Sequence, residues 1–230
     1  MKLKNSILIF AGAGLWACSS HLVINTNQSK ELVSNEITND TAINNFITPF
    51  KDSLDKRMNE VLAAADVDFI VQRPSSNLMN WVANALYTNQ TRNLRISSQP
   101  VVCLLNTGGI RSSIGKGNVT LGDIYKVMPF DNTVVWVELP IGILPEIESF
   151  LNKTGGEPMA NLTLKEGKLS ITNSPKNPTH FWIITSDYLM NGGDKMTFFD
   201  KRTNVNQTGK LLRDILIEEA RNQGTLSTSN

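Results

Sequence analysis

An α+β fold is what the sequence predicts. Strand-like and helix-like stretches interleave along it without strict alternation, which excludes a regular series of βαβ units. Apolar residues make up 40% of the 230 positions and charged residues 19%, a globular balance rather than a disordered one. A chain of this length buries a substantial core.

The first residues read as an address rather than as part of that fold. Lys2 and Lys4 precede an apolar stretch, Ile7 to Trp16, too short to span a bilayer as a stable helix. Leu15-Trp16-Ala17-Cys18 resembles a bacterial lipobox, which predicts a signal peptide over 1–17 and lipidation of Cys18. An ordinary secretory signal with an incidental cysteine is the alternative. Residues 18–39, rich in Ser, Asn and Thr, then form a tether, and a domain occupies 40–230. The expected location is the bacterial cell envelope, with the membrane reached through the acyl chains on Cys18.

The domain's elements are predicted in order. Asp40 caps a helix that carries Ile43, Phe46, Ile47, Phe50, Leu54, Met58 and Val61 on one face, with Pro49 kinking it or marking its start. Val67–Val71 reads as a short strand, and Ser76–Thr88 as a helix burying Leu78, Val82, Ala85 and Leu86. Val101–Leu105 is an apolar strand ending in a glycine turn. A short helix or turn follows near Leu121–Val127, then a strand over Thr133–Leu139 and a helix over Leu144–Leu151, broken by Gly155-Gly156. Leu162–Leu164 and Lys168–Ile171 form a hairpin about Glu166-Gly167. A strand over Phe181–Ser186 leads to Tyr188, and an amphipathic helix over Thr208–Asn222 closes the chain.

Composition excludes several functions. Removing Lys2 and Lys4 with a signal peptide leaves 20 basic residues against 21 acidic, a net of −1. No basic surplus exists for a nucleic-acid backbone, so nucleic acid is not an expected partner. His21 and His180 are the only histidines. That is too few for the usual hydrolytic two-metal site or for a well-supported Ser-His-Asp triad, so no metal or cofactor is expected in this chain. Cys103 lies inside Val101-Val102-Cys103-Leu104-Leu105 and reads as a buried, inert thiol.

Three segments stand out as sites. Asn106-Thr107-Gly108-Gly109-Ile110-Arg111 delivers a glycine turn from a buried strand, then one arginine. Glycines let a backbone approach a ligand, and a guanidinium suits phosphate or carboxylate; a plain turn with a solvated Arg is the alternative. The run from Gly109 to Gly117 is not a P-loop. Five residues separate Gly109 from Gly115 rather than four, and Gly117 follows Lys116 where a hydroxyl is needed. The second segment is Pro129-Phe130-Asp131-Asn132 and the third Tyr188-Leu189-Met190-Asn191-Gly192-Gly193-Asp194. Each sets an aromatic ring near a turn. Facing rings clamp a flat heterocycle, and an Asp beside a glycine turn accepts ribose hydroxyls. Core aromatics and a turn Asp are the alternative.

In this order the segments resemble the C-terminal, substrate-binding domain of the 5′-nucleotidase family of bacteria and animals, which includes periplasmic UDP-sugar hydrolases. That family carries Asn-Gly-Gly-Gly-Ile-Arg, then Pro-Phe-Gly, then an aromatic followed by Asn-Gly-Gly-Asp-Gly. Arg73-Pro74 with Leu78-Met79-Asn80 resembles its upstream arginine and helix start. The resemblance spans about Thr41 to Asn222. It implies a fold of layered mixed sheets with flanking helices. It also implies roles: Arg73 and Arg111 on the substrate phosphate, Asn106 near base or sugar, Phe130 and Tyr188 stacked on the base, and Asp194 on the ribose. Gly108, Gly109, Asn191, Gly192 and Gly193 would form the backbone of the site. Thr107, Asp131, Lys195 and Met79 stand where the family has glycine.

The family's enzymes also carry an N-terminal metallophosphoesterase domain with Asp-x-His and Gly-Asn-His-Glu segments, none of which occurs here. The resemblance therefore implies a nucleotide-binding specificity half, inactive alone, that works with a metallophosphoesterase chain supplying two divalent metals. The alternatives are a cell-surface lipoprotein that binds nucleotides or nucleosides without hydrolysis, or a scaffold whose pocket has decayed.

Overall fold

A computed structural model describes residues 38–94 and 98–227. The lipobox with Cys18 and nearly all of the tether lie outside the described residues. The chain divides after Asn44, and the architecture below is that of residues 45–230 together with the first turn of the opening helix.

Helix α1 runs over Thr41–Met58. Asp40 caps it, with Oδ1 accepting from the backbone N–H groups of Ala42 and Ile43 at 2.8 and 3.0 Å. The helix continues through Pro49, and none of its residues is buried. Phe46 and Phe50, 5.8 Å apart by ring centroids, are 71% and 68% exposed. Val61 does not extend this helix. It opens strand β1, Val61–Ala65, which pairs antiparallel with β3, Gly117–Thr120, and parallel with β10, Thr225–Leu226.

Val67–Val71 is not a strand. Phe69 alone bridges Ile114, by hydrogen bonds of 2.8 and 2.9 Å. The backbone on either side is claimed by one side chain: Asn77 Nδ2 donates to the Asp68 carbonyl at 2.8 Å, and its Oδ1 accepts from Ile70 N–H at 2.9 Å. These groups have no need of a neighbouring strand.

A five-stranded sheet forms the centre, in the order β5-β2-β8-β4-β9. Its members are β2 (Val101–Leu104), β4 (Thr133–Pro140), β5 (Met159–Ala160), β8 (His180–Ser186) and β9 (Asn204–Leu211). Every residue of β2 is buried, as a continuous apolar run between two neighbouring strands requires. Helix α2 (Asn77–Thr91), capped by Ser76, packs across β2 and β5 and against α6 (Leu212–Gln223). Helix α3 (Leu121–Val127) opens with a complete capping box between Thr120 and Asp123. Helix α4 (Leu144–Thr154) ends at Gly155, whose φ of +78° is the left-handed stop that glycine permits. Strands β6 (Leu162–Lys165) and β7 (Lys168–Ile171) make the expected hairpin. Glu166 and Gly167, both at positive φ, form its turn.

The last helix starts at Leu212, not Thr208. Residues 204–211 form β9 against β4 instead, with Thr208 Oγ1 donating to the Val134 carbonyl at 2.7 Å. Among the described residues no helix is long and apolar enough to cross a membrane.

The topology positions the site. β2 and β8 are parallel neighbours, so both run out of the sheet at the same end. β4 is antiparallel to β8 and therefore starts there. The turn after β2, the loop before β4 and the short helix α5 (Asp187–Met190) after β8 meet at that edge.

Candidate nucleotide-binding site

A cavity of about 330 Å³ at this edge is lined by Asn106, Gly108, Gly109, Arg111, Phe130, Asn132, Tyr188 and Asp194. All three sequence segments contribute. Phe130 and Tyr188 are 42% and 46% exposed, so both rings stand open to solvent rather than in the core. Both rings line the same cavity.

The floor is the turn over Thr107–Gly109. It is tight around Asn106: a Cβ on Gly109 would come within 2.9 Å of Asn106 Oδ1, and one on Gly108 within 3.3 Å of Asp194 Oδ2. Asn106 Nδ2 donates to that same Oδ2 at 2.6 Å. Arg111 Nη1 donates to the Gly108 carbonyl at 3.1 Å, which folds an exposed guanidinium back along the turn with other donors free for an anion.

The Tyr188 ring lies against Gly193. A Cβ on Gly193 would meet it at 2.5 Å, so only glycine allows this approach. The Tyr188 hydroxyl donates to Asp194 Oδ1 at 2.9 Å, and this bond to a carboxylate raises the phenol above its ordinary pKa. Asp194 and Lys195 take φ values of +50° and +64°, where glycine is at ease; Lys195 occupies the family's glycine position in the conformation that glycine favours.

Two groups that the sequence did not point to hold these walls. Asp187 Oδ1 accepts from the N–H groups of both Thr133 and Tyr188, at 3.1 and 2.8 Å, and its Oδ2 from the Thr133 hydroxyl at 2.8 Å. One carboxylate thus joins the end of the Phe130 loop to the start of the Tyr188 helix. Arg213 of α6 braces the Phe130 loop from behind. Its guanidinium lies 4.3 Å from the centroid of the Tyr125 ring, donates to Asp131 at 2.5 Å, and reaches the Met128 and Phe130 carbonyls at 3.4 and 3.5 Å. Asp131 is therefore engaged by Arg213 and does not line the cavity as a loose negative charge.

Arg73 is not brought to this cavity. Its Nη2 pairs with Glu157 at 2.6 Å and its Nε donates to the Gly156 carbonyl at 2.9 Å. Met79, in the first turn of α2, is fully buried in the core and does not line the cavity. Asn191, Gly192 and Gly193 line a more open depression that shares Asn132 and Tyr188 with the cavity. Among the described residues, no three His, Cys, Asp or Glu side chains gather as metal ligands.

The model of the 5′-nucleotidase C-terminal domain matches residues 61–140, from β1 through β4. The trifunctional nucleotide phosphoesterase protein YfkN of Bacillus subtilis is 24% identical over 202 residues, covering 76% of this chain and 14% of its own. Protein UshA of Escherichia coli is 28% identical over 124 residues, covering 49% of this chain and 22% of its own. Among solved structures, the 5′-nucleotidase precursor of Thermus thermophilus superposes with a TM-score of 0.61 at 22% identity, over 79% of this chain and 40% of that one. The NAD nucleotidase of Haemophilus influenzae does so with 0.60 at 18%, over 83% and 40%.

These likenesses show an α+β fold shared with nucleotidases of known structure. The chain spans less than a quarter of the length of the two sequence relatives and 40% of each structural one.

Proposed function

We propose that this chain is the substrate-specificity half of a two-chain phosphohydrolase of the 5′-nucleotidase type. It holds a nucleotide, while a separate metallophosphoesterase chain brings the two divalent metals and the attacking water. The observation that carries this reading is the convergence of Phe130, Tyr188, Asp194 and Arg111 on one cavity of about 330 Å³, in the range of small-ligand sites. Two aromatic faces suit a base, at roughly 1–3 kcal/mol per stacked ring. Asp194 keeps lone pairs beyond those used by Tyr188 and Asn106, enough to accept from a sugar diol. Arg111 offers a fork of donors to a phosphate.

Binding by this chain alone orients the phosphate but supplies no nucleophile, so turnover depends on the partner. Orientation is a large share of catalysis in phosphoryl transfer. A lipid on Cys18 would keep the pair at the cell envelope.

Calorimetry with AMP and adenosine tests the pocket, and phosphate release from AMP by a metallophosphoesterase, with and without this chain, tests the pairing. Binding together with a partner-dependent gain in turnover is expected. Binding without that gain would leave a capture protein, and absence of binding would remove the nucleotide reading altogether.

A further inference from the structure

The glycine turn at the floor of the cavity is not capped by its own side chains. Asn106 occupies the capping position, yet its side chain makes no hydrogen bond to the turn. The first N–H groups of any helical turn lack partners inside it, and leaving one unsatisfied away from water is costly.

Glu157, fifty residues further along, fills the gap. Its Oε2 accepts from the Thr107 backbone N–H at 2.6 Å and from the Thr107 hydroxyl at 2.7 Å. Its Oε1 accepts from Arg73 at 2.6 Å. Glu157 is 4% exposed. Burying a carboxylate that deep is costly unless its oxygens are met by donors and its charge by a cation. Both conditions hold here.

The arrangement acts on the cavity through its floor. With Thr107 anchored from the side, the Asn106 amide reaches across to Asp194 instead of folding onto the turn. Thr107 stands where the resembled family has glycine, so one of the three donors to Glu157 exists because of that departure. Its partner segment is held in turn. Gly156 backs onto Pro74 so closely that a Cβ would sit 2.1 Å from the Pro74 carbonyl oxygen. The Leu105 N–H bonds the Pro158 carbonyl at 2.9 Å.

We infer that Glu157 is a positioning residue for the cavity. It fixes the Asn106–Arg111 turn through Thr107, with Arg73 as its counter-charge rather than as a ligand to the substrate. What the cavity holds rests on the nucleotide reading above; the positioning does not.

The test compares the wild-type protein with Glu157→Gln and Thr107→Val. The readouts are the nuclear magnetic resonance signals of the Thr107 amide and the Asn106 side-chain NH₂, thermal melting, and AMP affinity by calorimetry. Glu157→Gln keeps the shape and removes the charge. It should move the Thr107 amide upfield, change the Asn106 side-chain signals and weaken AMP binding about tenfold or more, as loss of a buried charged acceptor does, with melting still cooperative. Thr107→Val removes the hydroxyl and keeps the N–H, and should fall between the two. Unchanged Asn106 signals and unchanged AMP affinity in Glu157→Gln would overturn the assignment. If Glu157→Gln fails to fold, Thr107→Val decides by the same signals. If the wild-type protein binds no AMP, the nucleotide reading fails, while the Asn106 signals still decide the positioning.

Discussion

Single residues set the walls of the cavity, and their tolerances are readable from distances. Gly193 must stay bare because the Tyr188 ring occupies the space of its missing side chain. Gly193→Ala should displace the ring and cut AMP affinity about tenfold, the scale of losing one stacking contact. Calorimetry on that variant checks it, and wild-type affinity would mean that the ring is not a wall. Cys103 gives a prediction of another kind. Complete burial pushes its thiol far above the ordinary range, so no thiolate is present at neutral pH. Thiol-specific reagents should label it only as the protein unfolds. Rapid labelling of the native protein would show that β2 opens to solvent.

At the scale of elements, α3 offers a measurable cap. Thr120 Oγ1 accepts from the Asp123 N–H at 3.2 Å, and Asp123 Oδ2 accepts from the Thr120 N–H and hydroxyl at 3.0 and 2.7 Å. Burial alone would raise the Asp123 carboxyl. The Thr120 bonds, with Lys126 beside them, outweigh burial and hold its pKa below the ordinary value. A depressed carboxyl stabilises the fold above its unfolded pKa, near 3.9, and loses that contribution as pH falls through the folded value. Thr120→Ala should cost about 1 kcal/mol in urea unfolding at pH 7. The deficit should shrink well below pH 4, and an equal deficit at both pH values would contradict the capping box as its source.

The elements also show which information the sequence carries locally. Ser76, the Glu166-Gly167 turn and the apolar Val101–Leu105 run each declare their structure within a few residues, and those elements stand where they were expected. β1 does not, because Val-Leu-Ala-Ala-Ala has no alternation and neither Gly nor Pro separates it from the preceding helix. β9 is mostly polar and half exposed, and its character comes from pairing with β4 rather than from burial. The same distinction governs the site. Phe130, Tyr188, Gly108, Gly109 and Asp194 lie in short motifs and line one cavity. The partners of Arg73 and Arg213 lie 84 and 82 residues away, and nothing near either arginine announces them.

For the molecule as a whole, the cavity draws on segments from Asn106 to Asp194, brought to one edge by strands of the central sheet. A ligand bound there stabilises the entire cooperative unit and not one loop. AMP at one hundred times its dissociation constant should add about 2.7 kcal/mol to the unfolding free energy, visible as a rise in melting temperature. Phe130→Ala should lose most of that rise at the same AMP concentration. An equal rise in both proteins would place the ligand elsewhere.

The brace from Arg213 carries a consequence for biosynthesis. Translation runs from the amino end, so the glycine turn, the Phe130 loop and Tyr188 all leave the ribosome before the helix that bears this guanidinium. Until α6 docks, the Met128 and Phe130 carbonyls and the Asp131 carboxylate lack the cation that steadies them. The walls of the cavity are therefore completed only once α6 has been made and has docked, although the segments that line it leave the ribosome earlier.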